Sequence, residues 1–203
     1  MPPSRTKLIA GWDEGAARYD PMIARVERRF LAPSREWIGA RAYGHVLEIA
    51  IGTGANLPYY SSDVVLTGLD WSAGMLDIAR DKARDLGRDV AWHEADAAEL
   101  PFPDAAFDSV VSTFAMCSVP DVEAALREAL RALRPGGRLL LADHIRAHWP
   151  LRALQHGLDL VTVPLHGEYW TRRPLDTLGR MGVRVDESVR TTFGAIEVMQ
   201  AAR

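Results

Sequence analysis

The chain has 203 residues, 48% of them hydrophobic and 25% charged, enough for one domain with a sizeable core and short for two. Lys plus Arg number 24 against 27 Asp plus Glu, a formal net charge of −3, so the chain lacks the basic excess that coats a nucleic-acid backbone. Its one cysteine, Cys117, excludes an internal disulfide and a multi-cysteine zinc site.

The opening residues, MPPSRTKLIAG, lack the apolar core of a secretory signal. The most apolar windows, Val110–Val119 and Leu139–Ala142, are too short to span a bilayer. A cytoplasmic protein of one domain, 1–203, is expected, with three textures: helical over 1–43, alternating over 44–146 and mixed over 147–203. From Gly11 to Tyr43 the pattern is helical, and Asp20 before Pro21 predicts an N-cap with proline in the first turn. Met22, Ile23, Val26 and Phe30 recur at spacings of three and four, with Arg25, Arg28 and Arg29 off that stripe. The plain reading is a helix packed on the domain. The sharper one is a lid, or a helix that faces an anionic lipid surface.

From His45 to Ile145 short apolar runs alternate with amphipathic stretches. HVLEIAI, VVLTGLD, DVAWHEA, FDSVVSTF and RLLLADH read as strands. Ser72 caps a helix that stops at Gly87, and Asp121 opens another that ends at Pro135-Gly136-Gly137. This alternation predicts an α/β fold, a mostly parallel sheet with helices on both faces, whose ligands bind beyond the carboxyl ends of the strands. After Ala147 periodicity weakens; a short helix, Pro174–Met181, and two strand-like runs, VRVDESVRT and AIEVMQAA, close the sheet as a hairpin.

The first strand runs into Gly52-Thr53-Gly54, where the backbone can turn tightly and a ligand can lie against it. Leu57 stands where a dinucleotide fingerprint has its third glycine, which argues against a docked pyrophosphate. Asp70, ending the second strand, is placed to accept hydrogen bonds from both hydroxyls of a ribose. Asp96-Ala97, ending the third, can take the amino edge of adenine. Acids at successive strand ends around one glycine loop describe an adenosine site without a phosphate site.

The runs VLEIAIGTG, LD70, EADAAELPFPDAAFDSVVS and LRPGGRLLLAD, from Val46 to Asp143, resemble the class I S-adenosylmethionine-dependent methyltransferases. The resemblance implies a Rossmann-like seven-stranded sheet with a C-terminal antiparallel strand, and S-adenosyl-L-methionine as cofactor. It implies that Glu48 and the Gly52, Thr53, Gly54 loop hold the methionine ammonium and carboxylate. It places Trp71 beside the adenine, Met75 along the cofactor, and Thr113, Phe114 and Met116 beside the sulfonium. YDPMIARVERRF, GTGANLPYY and FAMCSVPD resemble more closely a branch that includes bacterial phosphatidylethanolamine N-methyltransferases and enzymes of small lipophilic acceptors. In that branch Tyr19 would close over the cofactor, with Asn56 and Leu57 lining the loop. The segment 147–203 would choose the acceptor, a small molecule or lipid.

Methyl transfer needs alignment and exclusion of water, and no metal-ligand spacing is present: His144, His148, His156 and His166 are scattered. His144, after Asp143, is the first candidate general base and His166 the second, each equally readable as a histidine that satisfies loop backbone. Cys117 reads as a buried structural thiol. Trp149, Tyr169 and Trp170 either roof an acceptor pocket or belong to the core. Two other functions remain, a non-catalytic cofactor-binding partner and, less favoured without the third glycine, a nucleotide-dependent oxidoreductase. Neither composition nor motifs call for nucleic acid.

Overall fold

The computed structural model describes residues 2–203. Helix α1 (Arg5–Val26) begins at Ser4, whose Oγ accepts the Lys7 amide at 3.4 Å. Asp20 is therefore no N-cap: the helix runs on through Pro21, and the Asp20 carboxylate turns to Thr53 and Lys82 instead. A π-helical turn, Glu27–Leu31, joins α1 to α2 (Ala32–Gly39). Pro33 has no N–H to offer the Arg29 carbonyl, so the α-helical ladder cannot continue there. The Ala32 amide reaches back to the Glu27 carbonyl, the spacing of a π turn.

Strand and helix then alternate: β1 (His45–Ile49), β2 (Val65–Asp70), α3 (Ala73–Asp85), β3 (Val90–Glu94), β4 (Phe107–Thr113), α4 (Val122–Ala132) and β5 (Leu133–His144). Ser72 caps α3 through the Met75 amide (3.1 Å), and Asp121 caps α4 through the Ala124 amide (2.9 Å), as the sequence predicts. α5 (Leu151–His166), α6 (Pro174–Arg180), β6 (Val185–Thr191) and β7 (Ile196–Ala202) complete the chain. The stretch expected to lack periodicity thus contains a helix of 16 residues, α5.

The seven strands lie in the order β3-β2-β1-β4-β5-β7-β6. β1 to β5 pair in parallel, and β7 inserts antiparallel between β5 and β6. Successive side chains point to opposite faces, so Val110, Leu139 and Leu141 enter one core while Val111, Leu140 and Ala142 enter the other. Leu126, Ala129 and Leu178, from α4 and α6, cover the first face; Ile38, Leu76 and Ala83, from α2 and α3, cover the second. The order reverses between β1 and β4, which opens a crevice at the carboxyl ends of those strands. No helix among the described residues is long and apolar enough to cross a membrane.

Candidate functional site

Immediately after β1 and β4 the chain must turn upward without continuing the sheet. It does so at Ala50 and Phe114, two non-glycine residues held at φ 53° and 54°, and at Gly52, φ 56°. Left-handed backbone at a residue with a Cβ costs free energy and concentrates where function over-determines the geometry. All three residues line one cleft of about 660 Å³, open on one side. A Cβ on Gly52 would meet nothing within 4 Å, which leaves its backbone free to face a ligand.

Asp70, Trp71, Met75, Thr53 and Thr113 line the same cleft. Asp70 is fixed by two backbone donors, the Gly52 amide to Oδ2 (2.8 Å) and the Ser72 amide to Oδ1 (2.9 Å). Burial raises its pKa against these bonds, and each oxygen retains a lone pair for a further donor. A second hollow, of about 270 Å³, is lined by Asp96, Ala97, Leu69 and Pro120, and shares Ala50, Asp70, Trp71 and Val119 with the first. Asp70 therefore stands at the waist between a small recess and a larger chamber. The Asp96 Oδ1 accepts the Ala98 amide (2.8 Å), while Oδ2 pairs with Arg5 of α1 at 2.8 Å.

α1 lies over the chamber. Trp12 and Tyr19 line it, edge to face at 6.0 Å. Asp13 accepts from Ser72 Oγ (2.6 Å) and the Gly74 amide (3.0 Å), and Asp20 accepts from Thr53 Oγ1 (2.6 Å) and Lys82 (2.8 Å). Burial pushes the Tyr19 hydroxyl up to about 12, so it stays protonated at neutral pH.

Several residues expected at the cofactor stand behind the wall. Glu48 is fully buried, its oxygens accepting Asn56 Nδ2 and the Tyr60 hydroxyl, both at 2.8 Å, and burial carries its pKa to about 7. It lines neither hollow, and its bonds to Asn56 and Tyr60 brace the loop from behind the wall. Asn56 is itself enclosed between Glu48, Thr113 and Arg35. Leu57 packs in the core beneath Gly54, where a Cβ would lie 2.6 Å from its Cδ1. Met116 is buried in the core of the opposite face.

Neither candidate base lines the cleft. The His144 ring stacks on Trp170 (centroids 4.5 Å apart), its Nε2 lies 3.3 Å from Glu168, and it clusters with Cys117. Burial works against a charged imidazole, but Cys117, Glu168 and Asp143 together raise its pKa well above the ordinary value. His144 is turned to Trp170, Glu168 and Cys117 rather than into the cleft, so its position gives the expected base role no support. His166 is exposed in the last turn of α5, away from the cleft. Cys117 is buried, and burial raises its thiol pKa, as for a structural thiol.

Arg35 escaped the sequence reading. This buried cation of α2 lines the cleft, stacks over Phe114 (5.1 Å), and donates to Asn56 Oδ1 (3.0 Å), Thr113 Oγ1 (2.8 Å) and both oxygens of Glu27 (2.7 and 3.0 Å). The available signal was its place on the inward stripe of Ile38 and Ala42, where a cation needs a reason.

A doubly wound sheet whose switch-point crevice holds a buried acid between two joined hollows has the Rossmann-type architecture. A methyltransferase domain family matches residues 47–141. Phosphatidylethanolamine N-methyltransferase of Cereibacter sphaeroides is 37% identical over 145 residues, covering 70% of this chain and 71% of that protein. The ubiquinone/menaquinone biosynthesis C-methyltransferase of Pseudomonas savastanoi pv. phaseolicola is 41% identical over 141 residues, and the chain spans 54% of its length and aligns over 63% of its own. A SAM-dependent methyltransferase structure from Thermotoga maritima shares the fold at TM-score 0.70 and 22% identity, over 94% of this chain and 97% of that one. The chain belongs to the class I S-adenosylmethionine-dependent methyltransferases, and S-adenosylmethionine is its cofactor.

Proposed function

We propose that the chain methylates a small lipophilic molecule or a lipid head group, at N, O or S, by in-line displacement. The observation that carries this reading is the pair of joined hollows with Asp70 at the waist, ending in a chamber walled by Tyr19, Phe114 and Arg35. The name of the Cereibacter relative supports a lipid amine as one such acceptor.

When bound, S-adenosylmethionine supplies a methyl group on a positively charged sulfur that leaves as a neutral thioether. The chain's own residues bind and align. Asp70 accepts from ribose hydroxyls, Asp96 and Ala97 take the adenine edge, and Arg35 offers the one cation in the chamber lining for a carboxylate. Trp12 and Tyr19 exclude water from above. Orientation and desolvation of this kind are worth roughly 7–11 kcal/mol of barrier. On this reading α1 also touches the membrane that holds the acceptor: Met22 and Val26 of its stripe are exposed, beside the exposed Arg25, Arg28 and Arg29.

The test is calorimetry with S-adenosylmethionine and S-adenosylhomocysteine, then transfer of labelled methyl to phosphatidylethanolamine, a soluble amine, a thiol and a phenol. Binding of both nucleosides with label in at least one acceptor over multiple turnovers is expected. Absence of heat overturns the reading, binding without turnover favours a non-catalytic partner, and binding of NAD favours an oxidoreductase.

A further inference from the structure

α5 is amphipathic with the usual order of faces inverted. Its inward side is polar and fully bonded. Gln155 accepts the Ala147 amide (2.7 Å) and donates to the Ile145 carbonyl (2.8 Å); Asp159 accepts the Trp170 amide (2.6 Å) and the Thr171 hydroxyl (2.5 Å); Thr162 donates to the Glu168 carbonyl (2.8 Å). Its outward side carries Leu154, Leu158, Val161 and Leu165, spaced four, three and four apart and therefore on one stripe. Leu154, Val161 and Leu165 are 61%, 55% and 59% exposed. A helix in water puts its apolar stripe inward, and scattered exposed leucines need no explanation, but a contiguous stripe does.

Charge selects what covers it. α5 carries an exposed arginine, Arg152, and its only acid, Asp159, is turned inward. Along 21–31 of the N-terminal helices the same holds: Arg25, Arg28 and Arg29 are exposed, and the only acid, Glu27, is bound to Arg35. In a chain of net charge −3 these two segments present cations and apolar groups without an outward carboxylate. A two-fold contact between copies would set like cations against one another. An anionic bilayer meets both features, apolar side chains entering the acyl boundary and cations meeting head groups.

The position joins this face to the site. α5 ends at Gly167, where a Cβ would lie 3.1 Å from Leu8 of α1, and the next residues bind the cleft wall, the Tyr169 amide donating to the Cys117 carbonyl at 3.0 Å. We infer that α5 is a second membrane-docking helix, which lays its Leu154–Leu165 stripe into an anionic lipid surface and sets the cleft beside the bilayer. The inference rests on the lipophilic acceptor proposed above, and names the surface from which it is taken.

The experiment is flotation of the full chain with phosphatidylcholine vesicles, with and without phosphatidylglycerol, at low and high salt. Two double variants, Leu158→Glu with Leu165→Glu and Leu154→Glu with Val161→Glu, are compared with the wild type, each checked by S-adenosylhomocysteine calorimetry. Wild-type chain is expected to float with the anionic vesicles and to be released by salt. Each variant should lose about tenfold or more in partitioning, with nucleoside affinity unchanged. Docking is overturned if the wild type stays in solution at low salt, if a variant that binds the nucleoside floats as well as the wild type, or if sedimentation shows a dimer that the variants dissolve. Failure of the wild type to bind the nucleoside faults the functional reading instead, so the two failures are distinguishable.

Discussion

Asp70 combines an acid on the ligand side with two amides on the protein side, and its substitution separates those duties. Asn in its place keeps the shape but puts an NH2 group where either the Gly52 or the Ser72 amide must donate. Replacing a charged acceptor removes roughly 1.5–3 kcal/mol per bond, so Asp70→Asn should weaken S-adenosylhomocysteine about tenfold to a hundredfold. It should weaken 5′-methylthioadenosine equally, because the ribose is common to both. Calorimetry that shows no loss for either ligand contradicts the assignment. The placement of Asp70 and Asp96 at the hollows was legible in the sequence because one ends a strand and the other follows one closely, and strand ends can be read from period and punctuation. Glu48 stands on β1 as predicted, yet its partners Asn56 and Tyr60 lie in a later loop, and only the fold shows that they consume both oxygens. Arg35 was illegible for the same reason: its meaning depends on Thr113, distant in sequence.

At the scale of elements, α1, the π turn and α2 act as a strap across the cleft, and the turn delivers Glu27 to Arg35. Arg35 is 5% exposed, so without Glu27 its charge keeps only the neutral acceptors Asn56 and Thr113. Glu27→Ala should therefore cost about 1–3 kcal/mol of stability, read as a lower denaturant midpoint at unchanged slope. Arg35→Gln tests the ligand side: it should weaken S-adenosylhomocysteine about tenfold and leave 5′-methylthioadenosine, which has no carboxylate, unaffected. Equal loss for both ligands would mean that Arg35 only supports the wall. The alternating core was legible because every helix and strand there buries its apolar side, as the reading assumes. The two misreadings break that assumption. Pro21 sits inside a helix whose register is fixed by bonds to Ser72, Thr53 and Lys82, and α5 turns its polar side inward, so its apolar period gave no core assignment.

For the whole molecule, the buried carboxyls decide how stability follows pH. Glu48 is carried from 4.5 to about 7 and Asp143 from 3.8 to about 6, both chiefly by burial, and Asp70 is raised in the same way. A group whose pKa is higher in the folded chain favours folding in its protonated form. That contribution is complete below the unfolded pKa and is lost as pH rises through the folded one. His144, also raised, acts in the same sense. Asp108, lowered by the His45 amide, and Glu128, lowered by Arg131, act in the opposite sense: their contribution is present above the unfolded pKa and is lost as pH falls through the folded one. The two families leave a maximum at about pH 4–5, with a decline toward pH 8. Melting temperatures of the ligand-free chain across that range should show this acid-side maximum. Glu48→Gln provides the internal control, because its amide oxygen can accept from Asn56 and its NH2 can donate to the Tyr60 hydroxyl, preserving both contacts without a charge. The variant should melt higher than the wild type at pH 8 and nearly level with it at pH 5. A wild-type melting temperature that climbs steadily to pH 8, or a variant that loses stability equally at both pH values, would show that Glu48 is ionised and stabilising where it lies.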